Sequence, residues 1–465
     1  MSKGITELLA KYVHNLEWAS LPPEVVEAAK LRVLDYLASA MAGYRLNRTF
    51  SDKVTCMYQA MGGAKESRVL FSDLQLPAPS AAFLNSAYGH GADIDDGHRT
   101  AQAHPGIVVI PPAFALGEAE RISGKDVILS IVAGYDVLVR FSTAANPSHF
   151  NRGFHSTGTV GTLAAGAAAA KVLKLDFSGV YNALSLAAIQ AGGLHEVSES
   201  AQSAKPLSPA KAAYAGVLAG RMAQLGIAGP CEALEGTKGF IKAFTDAFDV
   251  EVLKNELGRR FEITACYVKL YPACRHCHAA IDAAIQLRNA GFGKFESIDK
   301  ITVQAYPAAI AVTGTIFEPA SIDEAKFSLP YAVATGLLKG RFTLSDLEVE
   351  YSFDSKVREL VRKITIVPDP ALENRAAKMR GARVQVVLKD GKSKEVAVKL
   401  PRGDQEIPVT KEDVENKLRL SAEGLVPEKQ QEALISAVWE LEKMPTVGSL
   451  LTFCTTQARA ASTKS

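Results

Sequence analysis

The chain has 465 residues, 48% hydrophobic and 22% charged, a composition that fits an ordinary folded protein and excludes disordered and fibrous classes. Its 52 Lys and Arg nearly cancel its 50 Asp and Glu, and no basic run stands out, which argues against nucleic acid or an anionic membrane as partner. A chain this long is expected to split into two domains rather than build one core.

The opening "MSKGITELLAKYVHNLEWAS" carries charges throughout and has neither a long apolar h-region nor a small-residue cleavage site, so it reads as the first helix of a cytoplasmic protein. From residue 1 to about 265, apolar residues recur at spacings of three and four, which predicts helix after helix. The most apolar stretch, "VILSIVAGYDVLV", falls short of the ~20 residues that cross a bilayer, and no transmembrane segment is expected. Residues 159–173 and 209–226 put Ala and Gly on most faces, which allows close approach and predicts central helices of an all-α domain.

After Cys266 the pattern changes. Residues 300–305, 363–367 and 383–400 alternate apolar and polar, the last around Asp390-Gly391, a hairpin signal. Helical stretches are expected at 277–290 and 324–339, so this part reads as α+β. Helical patterning returns after "LPRGDQEIP", and the tail 455–465 is expected to fray. The predicted fold is therefore mainly α with an α+β insertion: a discontinuous helical domain of residues 1–265 and 403–465, with a smaller α+β domain of residues 266–402. Six scattered cysteines make no disulfide framework and fit a reduced compartment.

Four stretches could carry chemistry. "YGHGADIDDGHRTAQAHPG" packs His90, Asp93, Asp95, Asp96, His98 and His104 together, acid and base groups whose proton affinities neighbours can push apart; loop capping or a hard-metal site fits the same residues. "NRGFHSTGTVG" sets His155 before a helix whose N-terminus can receive an anion, although a lone histidine there is more often structural. "SAKPLSPAKAA" holds Lys205 beside a proline turn, a candidate carboxylate anchor or simply a loop lysine. "VKLYPACRHCHAAIDA" contains a CxxCH string. Haem attachment would need export, zinc would need a second ligand pair, and a thioredoxin-like motif would need a βαβ setting. An anion-binding turn with Arg275 and the helix dipole fits better.

Together these stretches resemble the MmgE/PrpD family, which includes 2-methylcitrate dehydratase, cis-aconitate decarboxylase and iminodisuccinate epimerase. The resemblance spans the whole chain through "GHGADIDD" with "AHPG", "RGFHSTGTVGTLAAGAAAAKVL", "AKPLSPAKAAYAG", "KLYPAC" and "EAKFSLPYAVATGLLKG". It implies a large helical domain, a smaller α+β lid domain, a homodimer, and an active site between the domains that uses no cofactor and no metal. By position it implies catalytic roles for Asp93, His104, His155, Lys205 and Lys269, and beside these His90, Cys274, Arg275 and His276 are read as candidate substrate-binding residues. Departures from the family pattern point to a different substrate. Gly97 stands where the decarboxylases have threonine, Cys274 where dehydratases and decarboxylases have histidine, and Ser208 where a histidine often follows the Lys-Pro-Leu. The spacing from Asp93 to His104 is closer to that of the epimerase.

The chemistry this implies is a lyase, a dehydratase of a small di- or tricarboxylic acid acting by α-proton abstraction. Lys205, Lys269 and Arg275 would clamp the charge that gathers beside a carboxylate, His155 or His104 would serve as base or acid, and Asp93 would orient a histidine or shuttle the proton. Epimerisation and decarboxylation of a related polycarboxylate are the alternatives within the family. A Cys/His metal- or redox-sensing protein centred on Cys274 and Cys277 is the alternative outside it.

Overall fold

Small residues set the helix spacing at the centre of the helical part. The protein is described by a computed structural model over residues 4–197, 204–347, 354–374 and 379–454. The chain divides into two units, Met1–Tyr267 with Val414–Ser465, and Val268–Asp413. In the first, every residue of helix Ser156–Val172 except Lys171 is buried. Helix Leu207–Gln224 lies so close to it that a Cβ on Gly216 would collide with the Ala165 side chain and backbone. Helices Gly106–Ala119, Gly124–Ala145 and Phe177–Ala188 pack round the same central rod. A side chain larger than alanine on most faces of Ser156–Val172 would force these neighbours apart.

Helix Gly124–Ala145 is longer than its apolar stretch, because Ser123 caps it by accepting the Asp126 N–H and adds a turn before Val127. At 22 residues it is long and apolar enough to cross a bilayer, but 94% of its apolar window is buried inside the unit, so its apolar length serves the core. Helices Lys411–Ala422 and Glu428–Trp439 complete the helical part. Lys417, buried on the first of them, places its Nζ 2.5 Å from Asp35 Oδ1 and 2.6 Å from the Ile94 carbonyl. The 455–465 tail expected to fray lies outside the described residues.

The second unit is built on a four-stranded sheet in the order Ile364–Pro368, Ile298–Ala305, Ala382–Leu388, Ser393–Val398. The first pair is parallel and the other two antiparallel, with Val303 opposite Val384 and Val384 opposite Val396. Alternation is what these strands share: Ile301, Val303, Val384 and Val386 are buried on the face that receives helix His278–Leu287. The Asp390-Gly391 turn closes with the Leu388 N–H on the Lys392 carbonyl, Gly391 taking the left-handed conformation. The single helix expected over 324–339 is two, Ile322–Lys326 and Leu329–Lys339. Ser328 breaks it by capping the Tyr331 N–H, and Pro330 follows in the first turn, where a missing N–H costs nothing.

Candidate active site

Helix Ala78–His90 delivers His90 at its last turn, and the chain then runs through an acidic loop to helix Gly106–Ala119. The loop starts where the backbones of Gly43 and Gly91 meet too closely for a Cβ on either. Its three carboxylates then go separate ways. Asp93, in the left-handed region at φ 54°, accepts from Lys205 Nζ at 3.1 Å. Asp95 faces two imidazoles: His90 Nδ1 stands 3.0 Å from both carboxylate oxygens, and His104 Nδ1 3.0 Å from Oδ2. Asp96 accepts the Gly106 N–H at 2.9 Å and the Tyr135 hydroxyl at 2.8 Å, anchoring the next helix.

These contacts fix the tautomers. His104 Nδ1 also stands 2.7 Å from the Asp96 carbonyl. A carboxylate and a carbonyl can only accept, so His104 carries its proton on Nδ1, as His90 does against Asp95. Neutral His90 and His104 therefore each present a lone pair on Nε2. His90 Nε2 is buried and has no hydrogen-bond partner among the described residues. The histidine-orienting carboxylate is thus Asp95, which was not among the site residues expected from the sequence. The expected orienting residue, Asp93, is the partner of Lys205.

His155 precedes helix Ser156–Val172, and its Nδ1 is 2.9 Å from Ser208 Oγ. Gly158 makes room for that hydroxyl, since a Cβ there would collide with it. Burial pushes the His155 imidazole well below its ordinary value, and the positive charge of Lys205 pushes the same way. His90 is driven to about 4 by burial, with Asp95 opposing and Lys205 reinforcing. Burial works to raise Asp95, but the two imidazoles outweigh it, His90 most, and hold the carboxylate well below its usual range. Asp96 goes the other way, up to about 6, because burial exceeds the pull of Arg32. His90, Asp93, His104, His155 and Lys205 thus fall in one cluster of the helical unit, three imidazoles beside a lysine–aspartate pair.

The remaining expected site residues lie in the α+β unit. Lys269 is buried, and its charge joins that of Arg380 and follows burial itself in lowering His276 to about 4. His276 Nδ1 is hydrogen-bonded to the Tyr306 hydroxyl. Cys274 is half-buried, and its N–H donates to the Lys326 carbonyl. Arg275 is also tied into the fold: its guanidinium pairs with Asp404 at 2.9 Å and donates to the Arg402 carbonyl at 3.2 Å.

His278 of the CxxCH string donates from Nε2 to the Ala273 carbonyl at 3.1 Å and accepts at Nδ1 from Arg275 at 3.0 Å, so both ring nitrogens are engaged in the fold. Among the described residues the one group of three potential ligands sharing a space is His90, Asp95 and His104, with ligand atoms within 4.8 Å of one another. Its N···O separations are those of hydrogen bonds, and a metal ion would have to take the place of the Nδ1 protons.

Residues 7–253 match the MmgE/PrpD N-terminal domain and residues 271–443 the MmgE/PrpD C-terminal domain. Cis-aconitate decarboxylase of Homo sapiens is 28% identical over 466 residues, covering 97% of this chain and 95% of the human one. Cis-aconitate decarboxylase of Aspergillus terreus is 27% identical over 477 residues, covering 96% of this chain and 95% of that one. The 2-methylcitrate dehydratase of Cupriavidus necator is 32% identical over 194 residues, 38% of this chain and 39% of the dehydratase.

Proposed function

The chain belongs to the MmgE/PrpD family, and on that premise we propose that it is a lyase that dehydrates a small di- or tricarboxylic acid, without a metal or organic cofactor, through a carbanion formed beside a carboxylate. The observation that carries this reading is Asp95 receiving the Nδ1–H of both His90 and His104. A carboxylate behind an imidazole fixes its tautomer and stabilises the imidazolium that forms when Nε2 takes a proton.

His104 Nε2 is then the base for the α-proton. The electron pair left on carbon spreads into the adjacent carboxylate, where Lys205, steadied by Asp93, meets the growing charge. Loss of the β-hydroxyl as water needs a proton, and His155 is the group assigned to give it. Lys269 of the second unit remains in the proposal as a cation for a substrate carboxylate. The same reading includes a homodimer, which sedimentation would check.

Decarboxylation is the second reading, favoured by similarity to the cis-aconitate decarboxylases over nearly the whole chain. Against it stands Gly97, at the threonine position of those enzymes. A Cβ on Gly97 would meet the Tyr267 ring and hydroxyl, so a threonine here would require that side chain to turn aside, and the two residues are paired through their backbones. The test is to incubate the enzyme with citrate, 2-methylcitrate, malate and cis-aconitate in deuterated water. Water loss with deuterium entering recovered substrate is the expected result. CO2 release would replace dehydration by decarboxylation, inversion without net loss would replace it by epimerisation, and absence of binding, exchange and turnover would sink the reading.

A further inference from the structure

Two Gly-X-His tripeptides, Gly153-Phe154-His155 and Gly193-Leu194-His195, pair across an isolated antiparallel bridge. The His155 N–H donates to the Gly193 carbonyl at 3.1 Å and the His195 N–H to the Gly153 carbonyl at 2.8 Å, with Phe154 opposite Leu194. Side chains alternate across such a pair, so Phe154 and Leu194 leave on one face and the two histidines on the other, as diagonal neighbours. Their ring centroids stand 6.1 Å apart, and the His195 ring rests edge-on against Phe150 at 4.5 Å. The segment is tied from below, where Lys211 Nζ donates to the Gln190 carbonyl at 2.5 Å from the same helix that carries Ser208.

The two imidazoles differ in exposure: His155 is 5% exposed and His195 half-buried. This matters for the acid step. His155 is kept neutral by burial and by Lys205, so before it can give a proton to a departing hydroxyl it must be given one. Nothing about its own position opens it to bulk buffer, but the neighbouring ring does.

We propose that His195 is the proton shuttle of this site, loading His155 from solvent through one bridging water. The proposal rests on the lyase reading above. In the step, a buffer acid protonates His195. An N–H bond then breaks on His195 as one forms on His155, and the His155 N–H breaks as the C–O bond of the substrate breaks and water leaves. The α-proton taken by His104 returns to solvent, so one substrate gives one alkene and one water with no net proton.

The test uses the full-length enzyme with whichever of citrate, 2-methylcitrate and malate the wild type dehydrates. In weak, dilute buffer His195→Ala is expected to lower kcat by about tenfold, less than the ~10²–10⁴ of a direct acid or base, with KM nearly unchanged. Added imidazole should restore kcat in His195→Ala and leave the wild type unaffected, while His195→Gln, which keeps a polar side chain but moves no proton, should be as slow and as readily restored. Wild-type kcat in either variant in dilute buffer overturns the shuttle, as does a loss that imidazole fails to restore, which would mark a structural role. A wild type that dehydrates none of these acids removes the lyase reading itself, and the wild-type arm alone reports that.

Discussion

Asp95 holds two imidazoles with one carboxylate, so a change of one atom in it reaches both. Asp95→Asn keeps the shape but leaves a single accepting oxygen, and the amide nitrogen must face the Nδ1 of His90 or His104. His104 keeps its Nδ1–H on the Asp96 carbonyl in either case, so what the substitution removes is the negative charge that stabilises the imidazolium formed when Nε2 takes a proton. If His104 is that base, kcat should fall by about 10²–10⁴-fold with little change in KM, read by steady-state kinetics on the substrate found above. Wild-type kcat would show that neither imidazole of the pair takes the α-proton. The sequence marks this neighbourhood clearly, because three carboxylates and three imidazoles between residues 90 and 104 are hard to miss. It does not say which carboxylate meets which histidine. That depends on the left-handed turn at Asp93, which sends this side chain toward Lys205 and leaves Asp95 for the rings. The Arg275–Asp404 pair is hidden for a related reason: the two residues are 129 positions apart, and no local pattern links them.

Among the elements, the C-terminal helix Lys411–Ala422 does the least expected work. Its Lys417 reaches the carbonyl of Ile94, between Asp93 and Asp95, and pairs with Asp35 inside the helical unit, so a residue 323 positions away supports the acidic loop. Burial lowers Lys417 and raises Asp35, the mutual attraction opposing both shifts, as for any ion pair taken out of water. Lys417→Met should then cost about 3–5 kcal/mol in denaturant unfolding, because it strands a buried carboxylate, and adding Asp35→Asn should recover much of the loss. A loss that the second substitution does not reduce would place the effect in packing instead. Periodicity could not find this pair, since a buried lysine on an amphipathic helix is written like an exposed one. Periodicity did suffice where contacts are local. The alternating strands follow their apolar residues closely, and the small-residue helices are central because only they permit such near approach. The break at Ser328 in the expected 324–339 helix is written in a cap and a proline, but the apolar spacing continues across it, so periodicity alone does not show it.

On the scale of the whole molecule, the buried titratable groups set how stability depends on pH, and they pull in opposite directions. His90, His149 and His276 are each driven to about 4, by burial first. A histidine depressed in the fold gives stability that is complete above its unfolded value near 6.5 and is lost as pH falls toward 4, because the unfolded chain binds the proton first. Asp136, which accepts the Glu262 N–H and is bonded to the Tyr12 hydroxyl, is raised to about 7 by burial, against the pull of Arg140. Asp96 is raised to about 6. A raised carboxyl has the reverse sign: its contribution is complete below the unfolded value near 3.8 and is lost as pH rises through the folded one. Between pH 7 and 5 these histidines, together with His155, which burial also depresses, outweigh the two acids, so the native protein should lose stability over that interval. Asp136→Asn isolates one term. It removes a group that offsets the histidines on acidification, so the variant should lose roughly 2 kcal/mol more than the wild type between pH 7 and 5. Denaturant unfolding of both proteins at the two pH values measures the difference. Equal pH dependence in wild type and variant would mean that Asp136 keeps an ordinary carboxylate proton affinity despite its burial.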